Sequence, residues 1–178
     1  MTTQSEQLEQ MDYFEEDFIE EVDDVFFTTI GRFLVEFSGL ESTLNIAIAD
    51  LLHDDYHGIG YTVIENLNLL SKIQLYDKLC RQRISYARNR NRLKERLKKI
   101  ILYFDDVRVF RNKIAHANWR TLSKDYNVRT KISTNKDSGD VEFKNERMTI
   151  TDIDQNIDKA NWVEEKIYAL IESINNSL

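Results

Sequence analysis

Apolar residues recur at spacings of three and four over four long stretches of this chain, the pattern of helices that bury one face. From Val22 to Leu52, the residues Val22, Phe26, Ile30, Phe33, Phe37, Leu40, Leu44, Ile48 and Leu51 share a side. His53 to Tyr61, with Gly58 and Gly60, reads as a loop. Thr62 with Glu65 has the form of a capping box, which predicts a second helix running to about Ala87. Its apolar positions are Val63, Leu67, Leu70, Ile73, Cys80 and Ile84. The polar run Arg88-Asn89-Arg90-Asn91 predicts a turn, and a third helix follows from Leu93 to about Asn118.

Beyond Asn118 the period falls from near 3.6 to 2. Val128–Ser133 and Val141–Lys144 alternate as strands do, and Lys136-Asp137-Ser138-Gly139-Asp140 between them is turn chemistry. Thr151 with Asp154 is read as the cap of a last helix that turns Ile153, Ile157, Ala160, Ile167, Leu170, Ile171 and Ile174 inward. The expected fold is all-α: an up-down bundle of four long helices, with a small β-hairpin insertion at about 127–145 before the last helix. We expect an acidic N-terminal arm over residues 1–20 and a single helical domain over 21–178.

Composition narrows the class. The chain has 178 residues, no proline and five glycines, which suits long unbroken helices. A lone cysteine, Cys80, cannot form an internal disulfide and reads as a packing residue. No apolar run approaches the ~20 residues of a membrane span, and the acidic start lacks a signal-peptide profile. The expected location is cytoplasmic, with no membrane partner. The net charge of −7 argues against a general nucleic-acid binder, but its distribution points the other way. Residues 1–55 hold fifteen acids and one base, Arg32, whereas residues 78–99 hold ten bases and one acid, Glu95. A local basic block attracts phosphates whatever the mean charge. The same block is also compatible with a solvated helical hairpin facing the acidic N-terminus.

The chemically distinctive residues lie at the end of the third helix, in Arg111-Asn112-Lys113-Ile114-Ala115-His116. At about 100° per residue, Arg111 falls within the stripe formed by Leu93, Leu97, Ile100, Phe104, Val107 and Ile114. Asn112 and His116 sit one turn apart on the adjacent flank, with Asp105 and Arg108. A guanidinium keeps its charge and is costly to bury without a partner, so Arg111 needs a polar cleft or an acid. Glu41 lies within about 40° of Phe37 on the first helix's apolar stripe. It is the expected partner of Arg111 or Arg108, as a register-fixing ion pair or as an orienter of the arginine. An imidazole beside a guanidinium is also the minimum apparatus for cleaving RNA without a metal, since RNA carries its own nucleophile in the 2′-hydroxyl.

Other candidates carry less chemistry. His53-Asp54-Asp55-Tyr56-His57 has metal-binding residue types but reads first as a loop after a helix. Trp119 and Tyr126, just past the motif, fit either base stacking or capping of the bundle end. No glycine-rich phosphate loop is present. We expect no metal and no cofactor.

Arg111-polar-x-x-x-His116 at the end of a long third helix resembles the HEPN domain, and Phe37-Ser38-Gly39-Leu40-Glu41-Ser42-Thr43-Leu44 resembles that family's first long helix. The likeness covers roughly Val22 to the C-terminus. It implies a helical fold and, in active members, a metal-independent endoribonuclease built as a homodimer, with two third-helix motifs facing one composite cleft. Arg111, Asn112 and His116 would be catalytic, with Glu41 and Arg108 in support. Arg88, Arg90, Arg92, Lys113 and Trp119 would contact RNA. The resemblance further implies a toxin or anti-phage defence effector, with an antitoxin or defence-system partner. The chain departs from one HEPN subgroup, toxins paired with a nucleotidyltransferase antitoxin, in which a modified tyrosine follows the motif histidine by two residues; here that position is Asn118. The alternative is a non-catalytic module of the same fold that serves dimerisation or nucleotide binding.

Overall fold

A computed structural model of the chain describes residues 16–52, 58–117, 119–121, 126–134 and 139–177. Its elements, in chain order, are α1 (Glu16–Leu51), α2 (Gly58–Ile64), α3 (Leu69–Ile84), α4 (Arg90–Ala115), β1 (Trp119–Thr121), β2 (Asn127–Thr134), β3 (Val141–Met148) and α5 (Ile150–Asn175). The protein is therefore mostly helical, with five helices among the described residues and an antiparallel hairpin before the last one. None of these helices is long and apolar enough to cross a membrane.

The chain divides into two compact units by its internal packing, and the boundary falls within α1, α4 and α5. One unit comprises residues 34–111 and 156–178. Its core is the set of helical stripes read from the sequence. Phe37, Leu40, Leu44 and Ile48 on α1, Leu97, Ile100, Phe104 and Val107 on α4, and Ile157, Ala160, Ile167 and Leu170 on α5 are all buried. Each row repeats every three or four residues because a helix must present one continuous apolar face to its neighbours. Polar contacts fix the register: Thr43 donates to Glu164 at 2.9 Å, and Arg83 donates to the Leu51 carbonyl at 2.7 Å.

The expected second helix is broken in two. Thr62 is not its cap; its hydroxyl donates back to the Gly58 carbonyl inside α2. Asn68 is the cap of α3, in an extended conformation, and its side chain accepts from the Ser71 amide at 2.9 Å. The break rotates the buried face. Val63 and Leu70, expected inside, are exposed, while Ile73, Tyr76, Cys80 and Ile84 form the buried row of α3.

The other unit comprises residues 1–33 and 112–155. A third strand, β1, lies where the sequence predicts the end of a helix and a linker, so the hairpin becomes a sheet of order β1-β2-β3, antiparallel throughout. Trp119 pairs with Arg129, and Arg129 with Glu146. The hairpin strands run further than expected, to Met148, and Gly139 takes a left-handed φ of 76° beside the turn. Residues 135–138 of that turn, the His53–His57 cluster, Asn118 and residues 1–15 of the expected arm lie outside the described residues. Residues 16–20 belong to α1. The cap of α5 is Thr149 rather than Thr151. Its hydroxyl accepts from the Asp152 amide at 3.1 Å, and Asp152 accepts from the Thr149 amide at 2.8 Å. This reciprocal pair satisfies two donors at the helix start.

The single cysteine gives a test of the helical core. Burial, the largest cause, pushes the Cys80 thiol up to about 12, against a lowering contribution from Tyr76. A thiol so held stays protonated and unreactive at neutral pH. A disulfide reagent should titrate no thiol in the native protein and one after denaturation. Fast stoichiometric reaction in the native state would show that the core around α3 opens readily.

Candidate functional site

α4 carries the Arg111–His116 motif through its last turn. Arg111 is half-buried, and its Cζ lies 5.9 Å from the centroid of the Phe37 ring. The aromatic face and partial hydration together accommodate a cation on a stripe whose other members are buried. Asn112 and His116 are exposed. The His116 amide donates to the Asn112 carbonyl at 3.3 Å, so the imidazole sits just past the final turn, on the flank of Asn112.

Glu41 stands elsewhere in its own unit. Its charge partner is Lys72 of α3, with Nζ 3.4 Å from Oε1, where the expected partner was Arg111 or Arg108. Arg108 pairs with Asp105 through a 2.7 Å contact on its own helix. The physical reason is twofold. The Glu41 side chain is 38% exposed and so needs no buried cation, and the break before α3 turns Lys72 inward, to 11% side-chain exposure, where it requires an acid.

The residues read as RNA contacts divide. Arg88, Arg90 and Arg92 are exposed at the start of α4, and the Arg88 amide donates to the Ser177 carbonyl. Trp119 is buried, 8% exposed, and is unsuited to stacking on a base. Phe26 meets its ring edge-on, with centroids 6.0 Å apart, and Arg129 lies over it at 5.7 Å. Tyr126 is covered in the same way by Arg147, whose Cζ lies 4.6 Å from the ring centroid. Both rings pack within the sheet-bearing unit because the sheet brings arginines across from neighbouring strands. Lys113 is half-buried and 3.2 Å from Glu146.

That last contact belongs to a network the sequence reading missed. Arg129 on β2 donates through Nε and Nη2 to Oε2 of Glu146 on β3, at 2.9 and 2.6 Å. Its Nη1 donates to the Lys113 carbonyl at 3.2 Å. Carbonyls of the last helical turn lack partners within the helix, so Arg129 supplies a donor where α4 needs one. Arg129 falls within the alternating run Val128–Ser133, but Glu146 lies past the expected strand Val141–Lys144, and their pairing depends on a strand register that only the fold supplies. The network closes on Lys113, three residues before His116.

Glu146 is accordingly held below the usual carboxylate range. The Arg129 hydrogen bond is the largest cause and Lys113 adds to it, against partial burial. A carboxylate whose pKa is lower in the folded than in the unfolded chain adds stability above its unfolded pKa and loses it as pH falls through the folded value. Glu146→Gln should therefore melt below the wild type at neutral pH, with the gap closing as pH drops below about 4. Thermal melts across that range check this. A gap independent of pH would assign the effect of Glu146 to packing rather than charge.

No protein-family model matches the chain, and no curated protein or solved structure matches it.

Proposed function

We propose that the protein is a metal-independent endoribonuclease that cleaves RNA through attack of the 2′-hydroxyl, acting as a homodimer and serving as a toxin or anti-phage effector in the cytoplasm. The observation that carries this reading is the exposure of His116 and Asn112 beside half-buried Arg111 at the end of α4. An imidazole sealed in a core would be unable to reach a substrate. The HEPN resemblance of the same residues supports the reading.

The chemistry follows from the residue types. His116 accepts the proton of the 2′-hydroxyl as its oxygen bonds to the neighbouring phosphorus. Negative charge grows on the phosphorane, where Arg111 offers paired N–H donors. Asn112 orients a phosphate oxygen. The bond from phosphorus to the 5′-oxygen breaks, and that oxygen leaves as a hydroxyl with a proton returned from an imidazole. A second motif from a partner copy allows one histidine to act as base and the other as acid. Glu41 and Arg108, bound to Lys72 and Asp105, contribute structure rather than chemistry in this mechanism.

Cleavage of structured RNA should persist in EDTA and leave 2′,3′-cyclic phosphate on the 5′ fragment, and DNA should survive. His116→Ala should lower the rate about 10²–10⁴-fold. Arg111→Lys should fail as well, because a point charge does not reproduce the planar fork. Products ending in 3′-hydroxyl, or activity restored by magnesium after chelation, would assign the cleavage to different chemistry.

Sedimentation at the concentration of the cleavage assay should find a dimer. Full activity in a strictly monomeric sample would remove the composite cleft.

A further inference from the structure

Within the unit of residues 34–111 and 156–178, α4 and α5 pack antiparallel along a polar seam. Arg96 meets Ser173 and Ala169, Tyr103 meets Trp162, and Asp106 meets Lys159. The seam opens into a cavity of about 310 Å³ lined by Arg96, Lys99, Ile100, Trp162, Lys166 and Ala169. Three of its six lining side chains are cationic and one is an indole. The Lys99 ammonium lies 4.9 Å from the centroid of the Trp162 ring and 5.3 Å from that of Tyr103. Arg96 is held by bonds to the Ser173 hydroxyl at 2.8 Å and the Ala169 carbonyl at 3.2 Å. These use two of its five donors and leave a fixed fork for an anion. Glu165 pairs with Lys166 and Asp106 with Lys159, while Glu95 lies one turn before Lys99 on α4. Lys99 faces the Trp162 and Tyr103 rings, and no salt bridge joins it to a carboxylate among the described residues.

A half-buried aromatic face ringed by cations fits a ligand that joins a flat π-system to a phosphate, which is the chemistry of a nucleotide. The cations do not stop at the cavity. Arg92, Arg96 and Lys99 follow one another at intervals of about one helical turn on α4, Arg88 lies in the turn just before it, and Arg88 and Arg92 are exposed. A single mononucleotide would not use such a row, whereas a strand with a charge at every residue would.

The geometry points to this groove as a binding site for single-stranded RNA, in which one base takes the place of the exposed Lys99 ammonium on the Trp162 ring and flanking phosphates meet Arg96, Lys166 and the displaced Lys99. The site lies apart from the motif at the end of α4, and RNA binding there does not require cleavage by His116.

The test uses the full chain carrying His116→Ala, so that binding is read without cleavage, and Trp119→Phe, so that Trp162 is the remaining tryptophan, excited at a wavelength tyrosine does not absorb. Oligouridylate should quench Trp162 emission, and UMP should do so far more weakly. With fluorescein-labelled oligouridylate, Trp162→Phe should keep most of the affinity, and Trp162→Ala should lose on the order of tenfold. Lys99→Gln and Lys166→Gln should each flatten the dependence of log K on log salt by about 0.7. Circular dichroism checks that each variant is folded. UMP binding as tightly as the oligonucleotide would replace the strand site with a mononucleotide pocket. Absence of quenching by either probe, or labelled RNA that binds folded Trp162→Ala and the lysine variants unchanged, would overturn the proposal.

Discussion

The conformation of the motif segment rests on a constraint common to all helices: the last carbonyls have no partner within the helix and need donors from elsewhere. At the end of α4 one such donor is Arg129. Its guanidinium faces two ways, toward the Lys113 carbonyl and toward Glu146, and Glu146 in turn meets the Lys113 ammonium. The result is a closed polar loop joining the final helical turn to two strands. Lys113 also places a cation near the negative end of the helix dipole. His116 follows three residues later, where the chain has left regular helical bonding. A side chain that must pass protons gains from an anchored backbone, since a misplaced base loses much of its effect. If His116 passes protons as proposed, the small sheet is the element that fixes the helical turn before it.

Arg111 raises the opposite difficulty, a permanent charge on an apolar stripe. The structure meets it with geometry rather than full burial. The side chain is half-exposed and its planar group lies near the Phe37 ring. An arginine is weakly hydrated and tolerates an aromatic neighbour, whereas an ammonium keeps its water more tightly. Glu41, by contrast, owes its position to Lys72. A lysine turned inward by the start of α3 must have a carboxylate nearby, and Glu41 is the one α1 presents.

Periodic apolar stripes made the long helices legible. Every inward position assigned to the last helix is buried, and so is every apolar member of the stripe on α4. What escaped were features decided by short polar segments or by distant partners. The helix break at Glu65–Asn68 contains neither glycine nor proline, and its only signal was an asparagine able to cap. β1 is three residues long and exists because β2 lies beside it. Trp119 was compatible with a wet or a dry role, and the Phe26 edge together with Arg129 decided for the dry one. Of the candidate site, the spacing and exposure of Asn112 and His116 followed from helical angle alone. The Arg129–Glu146 pair did not, because a cross-strand contact requires a register and charges alternating along a strand do not specify one.

The basic block of residues 78–99 and the Arg111–His116 motif look unrelated in the sequence, yet both involve α4. From Lys99 to Arg111 is twelve residues, or about 18 Å along a straight helix. If the groove captures a single strand and the motif performs cleavage, both draw on side chains of the same element, α4. The acidic composition of the chain as a whole is then no obstacle to RNA binding. Screening confines the attraction to about 10 Å at ordinary ionic strength, so a strand responds to the local row of cations more than to the net charge.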